Sequence, residues 1–400
     1  MSNHHSGVIR SKWIVPIVSP PIENGWVRVG EGMILEVGNG KPSGEVVDLG
    51  DVALLPRLLN AHTHLEFSGH QKPVGHPGIA FSEWLKLVIS TRVAGSPDQK
   101  SKAILAGSQE LWNTGTVLAA EITTPPVNHG SLSGEVELAS FAEVLGLHPS
   151  RFAERLTACE EHVSHHPLSG FSPHAPYSIS SRGLELVFEH AAKTSKPIAM
   201  HVAESTEERE LLTTGKGPLA DFLNEMGLNA ADHFPWHERP FERLIHRFSG
   251  LNHVFLVHGN DLNETEIQQL ANYPQITVVY CPRTHHFFRF ATHPIKRLVD
   301  AGVRVVLGTD SRASNPDLDL WKEVQFVLQH HQEIEPNQVI AMGTRMPAEA
   351  FRLAFGIKRP WGALSTGFSA QMGMVRTSAD NHDQLFRDLS SNGYQNFELS

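Results

Sequence analysis

Two cysteines in 400 residues, Cys159 and Cys281, are too few for a disulfide framework and point to a reducing compartment. No apolar run approaches the roughly 20 residues of a membrane-spanning helix. The N-terminal run Trp13 to Val18 is short, contains Pro16 and continues into Pro20-Pro21, which makes a poor signal peptide. No Lys/Arg-rich run offsets the formal charge of −10, so nucleic acid is not an expected partner. No repeat or low-complexity segment stands out. No Gly-rich phosphate turn follows an early strand, which argues against an open doubly wound sheet. What is left, with 40% hydrophobic and 19% charged residues, describes a cytoplasmic globular protein with a large core. Its expected partner is a small-molecule substrate, with neither nucleic acid nor membrane, and self-association stays open.

The first 58 residues read as short strands. Val8–Val15, Gly25–Val29, Met33–Val37 and Glu45–Val47 carry β-branched or alternating apolar residues between Pro and Gly breaks. From Leu59 the texture changes to apolar strands alternating with amphipathic helices. Strands are expected at 54–61, 115–122, 136–141, 169–173, 197–202, 253–258, 276–281 and 303–309. Helical patterns lie at 81–92, 98–113, 149–162, 181–194, 205–213, 262–272, 293–301 and 317–331. Eight strands each followed by a helix predict an α/β fold, a (β/α)8 barrel, and about 250 residues suffice for one. The expected division is a β-sandwich part at 1–58, a hydrolase barrel at 59–350, and a return to the sandwich with a tail at 351–400. Gly362 to Val375 would supply the returning strands, residues 380–390 look helical, and the last ten are unassigned.

Histidine is abundant, 25 in all, so any one of them carries little weight. Their order carries more. Four apolar runs each end on a metal-binding residue: 52–61 on His62-Thr63-His64, 197–200 on His201, 254–257 on His258, and 303–309 on Asp310. In a barrel the chemistry lies at the C-terminal strand ends, where these residues fall. His62 and His64 stand two apart, so both point to one side of an extended backbone and can chelate one ion. Imidazoles with a carboxylate suit one catalytic divalent metal, zinc first and iron second. Such an ion lowers the pKa of its water from about 15.7 towards 7.

These segments resemble the amidohydrolase superfamily: Leu-Pro-Arg-Leu-Leu-Asn-Ala-His-Thr-His-Leu-Glu, Pro-His-Ala-Pro-Tyr-Ser, His-Val-Ala-Glu-Ser, Val-His-Gly and Leu-Gly-Thr-Asp-Ser-Arg-Ala-Ser-Asn. Within it they are most similar to the mononuclear deaminases of S-adenosylhomocysteine, methylthioadenosine, guanine and 6-aminodeoxyfutalosine. The resemblance covers roughly residues 5–375. It implies a distorted barrel with a β-sandwich built from both chain ends. Two departures stand out. Arg57 stands where the family usually has Gly, and Ser369–Val375 lacks the usual Ala-Asp-Leu pattern.

The resemblance implies metal ligation by His62, His64, His201 and Asp310, with Asp310 also accepting a proton from water. Glu204, three residues after His201, is either a helix N-terminal carboxylate or a proton shuttle to ring nitrogen and departing ammonia. The family favours the shuttle. His258 would orient the water. Dinuclear relatives use a carbamylated lysine near strand four, and no Lys lies between Cys159 and Arg182, which favours one metal. His174 would contact substrate or serve as a rigid turn residue. Trp84, with Phe81, would stack on a heteroaromatic ring or simply fill the core. Arg283, Arg289 and Arg312 are candidates for a polar or anionic tail. Thr284-His285 would reshape the pocket, since adenosine-thioether relatives tend to carry Ser-Asn there, and this favours 6-aminodeoxyfutalosine.

The expected activity is replacement of an exocyclic amine by a carbonyl, with ammonia released. Hydrolysis of another C–N or C–Cl bond, in a triazine, pterin, guanine or amide substrate at the same site, is the alternative. A non-catalytic barrel scaffold is remote, because every expected ligand is present.

Overall fold

The computed structural model describes residues 7–91, 97–127 and 134–397. Strands follow in the order β1 Gly7–Arg10, β2 Trp13–Ile14, β3 Ile22–Glu23, β4 Gly25–Gly30, β5 Met33–Asn39, β6 Val46–Asp48 and β7 Val52–Pro56. Eight more build the central layer: β8 Leu58–Thr63, β9 Thr116–Thr123, β10 Glu137–Val144, β11 Ser169–Pro173, β12 Ile198–Val202, β13 Val254–His258, β14 Ile276–Tyr280 and β15 Arg304–Leu307. They pair in parallel and in sequence order, β8 to β15. The remaining strands are β16 Met372–Arg376 and β17 Tyr394–Phe397.

The eight parallel strands nearly close into a barrel. Asp310 N donates to His62 O at 3.1 Å across the seam. Asn60 Nδ2 donates to Thr309 Oγ1 at 2.7 Å. Gly308 is required there, because a Cβ at that position would meet the His62 Cβ at 2.9 Å and its backbone N at 3.0 Å. Every residue of β8, β9, β11, β12, β13 and β14 is buried, as expected of parallel strands covered by helices.

The segment expected as one strand at 54–61 is two. β7 joins a five-stranded terminal sheet of order β17-β16-β7-β2-β3, while β8 starts the barrel. The break is at Arg57. Its backbone N donates to Gln371 O at 3.2 Å, on the side of the terminal sheet. Its guanidinium donates to Gly115 O at 3.2 Å and Trp112 O at 2.9 Å, and lies 3.9 Å over the Trp112 ring. An apolar run on both sides hid this junction from periodicity.

Both chain ends meet in that sheet. β16 pairs antiparallel with β7 and β17, so the atypical Ser369–Val375 sequence still carries a strand. Ladder hydrogen bonds are made by the backbone and tolerate the change. Gly373 leaves room for Tyr394, whose hydroxyl would lie 2.1 Å from a Cβ there. A separate four-stranded sheet, β5-β4-β1-β6, completes the N-terminal region.

The helices expected from periodicity are present, including Ser181–Thr194 and Phe81–Thr91. Residue 92 lies outside the described residues. Five further helices have no counterpart in the sequence reading: Pro218–Glu225, Pro240–Phe248, Pro282–Phe288, Pro336–Met342 and Arg345–Phe355. Four of them begin on proline. Proline reads as a breaker, yet it fits the first helical position, where its missing N–H would have no partner anyway.

Candidate active site

Each strand end delivers its polar residue into one mouth. His62 lies within β8 and His64 just beyond it; His201 lies in β12, His258 closes β13, and Asp310 follows β15. All five are buried. The chain turns sharply as it leaves the strands. Ala203, His258 and Asp310 have φ of 54°, 73° and 56°, a left-handed conformation uncommon for residues other than glycine.

The side chains converge. Asp310 Oδ1 stands 3.5 Å from His62 Nε2 and 3.8 Å from His64 Nε2. His64 Nε2 and His201 Nε2 are 3.2 Å apart. Candidate ligand atoms of His62, His64 and Asp310 lie within 4.8 Å of one another, as do those of His62, His201 and His258. His201 donates through Nδ1 to His174 O at 2.8 Å, which leaves its Nε2 lone pair facing the cluster. Ser314 Oγ donates to Asp310 Oδ2 at 2.9 Å and is itself 3.0 Å from Thr284 Oγ1.

Burial pushes the pKa of His62, His64, His201 and His258 down, so the rings are neutral. Among the described residues, His62 Nδ1, His62 Nε2 and His258 Nε2 are buried without a hydrogen-bond partner. Neutral imidazole lone pairs crowded around a carboxylate are the donor set that fits a divalent cation.

Glu204 is not a helix cap. Ser205 caps the helix Thr206–Thr214, accepting from Glu208 N at 3.2 Å. The Glu204 carboxyl turns into the cavity instead. Its Oε2 accepts from the Tyr177 hydroxyl at 3.3 Å, and its Oε1 lies 3.4 Å from His258 Nε2. Burial, then the charges of Asp310 and Glu208, push its pKa well above the ordinary carboxyl range. A carboxyl so placed can carry a proton at neutral pH.

His64, His201, Glu204, His258 and Asp310 line a cavity of about 820 Å³. His174 lines it, with Nδ1 3.0 Å from Ser178 Oγ and Nε2 3.9 Å from Glu143 Oε1. Trp84 lines it too, its Nε1 donating to Ala313 O at 3.2 Å, while Phe81 lies behind with ring centroids 6.0 Å apart. Leu85, Val88, Phe222 and Leu223 make an apolar wall. A hollow of about 900 Å³ on the outer helical face, around Trp236 and His246, holds none of the strand-end residues.

The arginines expected to meet substrate face elsewhere. Arg283 bonds Asp317 at 2.8 Å and lies 3.6 Å from Glu323. Arg312 bonds both oxygens of Glu110 at 2.8 Å and His70 O at 2.8 Å. Neither lines the cavity, and nor does Arg289. Arginine near a strand end finds a carboxylate wherever one is within reach, which sequence spacing does not reveal. Thr284 and His285 are buried outside the cavity lining as well, so they do not reshape it directly.

Sequence reasoning missed several residues. Arg151 and Arg155, one turn apart on the helix Pro149–His165, line the cavity, and neither has an ion-pair partner among the described residues. Their position after β10 gave no sign of which way they face. Glu143 and Tyr177 also line it, and Tyr177 was legible only as a neighbour of His174 in the Pro-His-Ala-Pro-Tyr turn.

The model of the Amidohydrolase family matches residues 53–393. An aminodeoxyfutalosine deaminase of Deinococcus radiodurans is 27% identical over 323 residues, covering 72% of this chain and 70% of that one. A 5-methylthioadenosine/S-adenosylhomocysteine deaminase of Pyrococcus furiosus is 27% identical over 382 residues, covering 87% and 81%. The crystal structure of Helicobacter pylori aminofutalosine deaminase superposes with a TM-score of 0.81 at 19% identity, covering 98% of each chain, which is a likeness of fold. The chain belongs to the amidohydrolase family and is a hydrolase of carbon–nitrogen bonds, similar in sequence to the deaminases among its relatives.

Proposed function

We propose that the protein deaminates a 6-aminopurine nucleoside-like substrate, with aminodeoxyfutalosine the first compound to try and adenosine thioethers the second. The relatives' names support the purine-like class. The observation that carries the chemistry is the Glu204 carboxyl, buried, bonded to Tyr177 and 3.4 Å from His258 beside the histidine–aspartate cluster.

His62, His64, His201 and Asp310 would hold one divalent ion, zinc in this reading, which when bound acidifies a water molecule for attack on the ring carbon. Glu204 donates its proton to the ring nitrogen next to that carbon as the water adds. His258 hydrogen-bonds the incoming water, and Asp310 takes up the proton it sheds. That proton passes through Glu204 to the exocyclic amine, which departs as ammonia, and the second proton of the water restores the Glu204 carboxyl as the carbonyl forms. Ring protonation comes first because an amine is a poor leaving group until the ring can accept electrons.

Trp84 would cover one face of the ring, and His174 would hydrogen-bond the sugar or base edge. The apolar wall and the pair Arg151 and Arg155 support a substrate whose far end is an apolar tail carrying an anion. Incubation with 6-aminopurine nucleosides, with ammonia and ultraviolet absorbance followed together, tests the proposal. Activity on a triazine, pterin or amide alone would replace the substrate class and keep the site.

A further inference from the structure

His258 ends β13 with φ of 73°, and Gly259 follows at 67°. The left-handed conformation is strained for a residue with a side chain, so surrounding contacts must hold it. On the cavity side His258 Nε2 has no hydrogen-bond partner among the described residues. The hold comes from behind. Gly259 N donates to Val202 O at 3.0 Å, and His293 Nε2 lies 3.0 Å from the His258 carbonyl oxygen.

A carbonyl oxygen only accepts, so His293 carries its proton on Nε2. Its Nδ1 is buried without a partner, which agrees with a neutral ring. The ring is fixed on both sides. It stacks on Tyr280 with centroids 3.8 Å apart and planes at 19°, and the His285 ring meets it edge-on at 5.6 Å and 89°. His285 Nε2 in turn bonds Ala291 O at 2.9 Å, tying down the turn that leads to His293. Tyr280 Oη lies 3.5 Å from His331 Nε2. Histidines that look uncommitted in the sequence thus pack as one buried group behind the strand end.

We infer that His293 is a positioning residue: its Nε2–H holds the strand-end turn that aims the His258 ring into the site. The inference rests on the reading of His258 as the residue that orients water. Substitution tests it. H293F keeps a ring on Tyr280 and removes the donor, whereas H293Q keeps a donor at similar reach. H293F should bind metal as the unaltered protein does and keep KM within about twofold, while kcat falls about tenfold, the worth of one hydrogen bond. H293Q should recover most of that loss. Crystal structures of both variants give a readout independent of the reaction, with the His258 ring and carbonyl displaced in H293F and restored in H293Q. An unmoved His258 in H293F, or equal loss in both variants, overturns the inference. If the unaltered protein converts no purine, the functional reading fails while the crystallographic comparison still decides the role of His293. Should H293F not fold, 15N-histidine spectra of the unaltered protein and H293Q decide instead. A slowly exchanging Nε2–H lost in H293Q supports the inference, and a proton on Nδ1 overturns it.

Discussion

His64 and His201 bring their Nε2 atoms to 3.2 Å of each other, on rings that burial keeps neutral. The His201 proton sits on Nδ1, bound to His174 O, so His201 offers a lone pair to that gap. Two nitrogens at this distance need a proton or a cation between them, and the Asp310 carboxylate 3.8 Å from His64 Nε2 favours a cation. Purified protein should therefore hold about one zinc or iron per chain by elemental analysis. The double variant His62→Ala/His64→Ala should lose it, together with the stabilisation that a bound metal gives the folded state. Undiminished metal in that variant would contradict the ligand assignment.

Glu204 touches His258 and Tyr177 rather than the ligand cluster directly. Glu204→Gln should keep its metal and lose roughly two to four orders of magnitude in turnover. Metal loss, or a near-normal rate, would show that this carboxyl does not carry the proton.

Arg151 and Arg155 should discriminate between substrates rather than act in the chemistry. The double variant Arg151→Ala/Arg155→Ala should raise KM for a substrate with an anionic tail about tenfold or more, at nearly unchanged kcat. A neutral-tailed nucleoside should be affected less than twofold in the same kinetics. Equal effects on both substrates would remove the arginines from the tail site.

His253 supplies a pH dependence away from the cavity. It is 1% exposed, bonded to Thr277 Oγ1 at 3.1 Å, and burial followed by the Arg304 charge pushes its pKa down to about 3. The unfolded chain takes up this proton near pH 6.5 and the folded chain does not. Stability is thus fully present above about pH 6.5 and falls as pH drops towards 3, by about 1.4 kcal/mol per pH unit for this one group. His253→Gln keeps a side-chain hydrogen-bonding group and should flatten that acid limb in denaturant titrations at several pH values. An unchanged slope would mean that the buried ring is protonated along with the unfolded one.

The barrel was legible because parallel strands buried on both faces read as apolar runs, and amphipathic helices fall between them. The ligands were legible because each closes such a run. Periodicity could not show the Arg57 junction, where one apolar run serves two sheets, or the four unexpected helices Pro218–Glu225, Pro240–Phe248, Pro282–Phe288 and Pro336–Met342. Nor could it show direction. Arg283 and Arg312 are answered by Asp317 and Glu110, from sequence positions 34 and 202 residues away, while Arg151 and Arg155 are left to the cavity. Glu204 shows the same limit: only the fold shows that Ser205 takes the capping role and frees the carboxyl for the site.

The most direct measurement is a paired assay on metal-loaded protein with aminodeoxyfutalosine and adenosine thioethers, recording ammonia and the ultraviolet spectrum in the same samples. Deamination predicts one ammonia per substrate and an absorbance change from an adenine to a hypoxanthine chromophore, both abolished in Glu204→Gln. No ammonia and no spectral change with any 6-aminopurine nucleoside, from protein that holds its metal, would contradict the account.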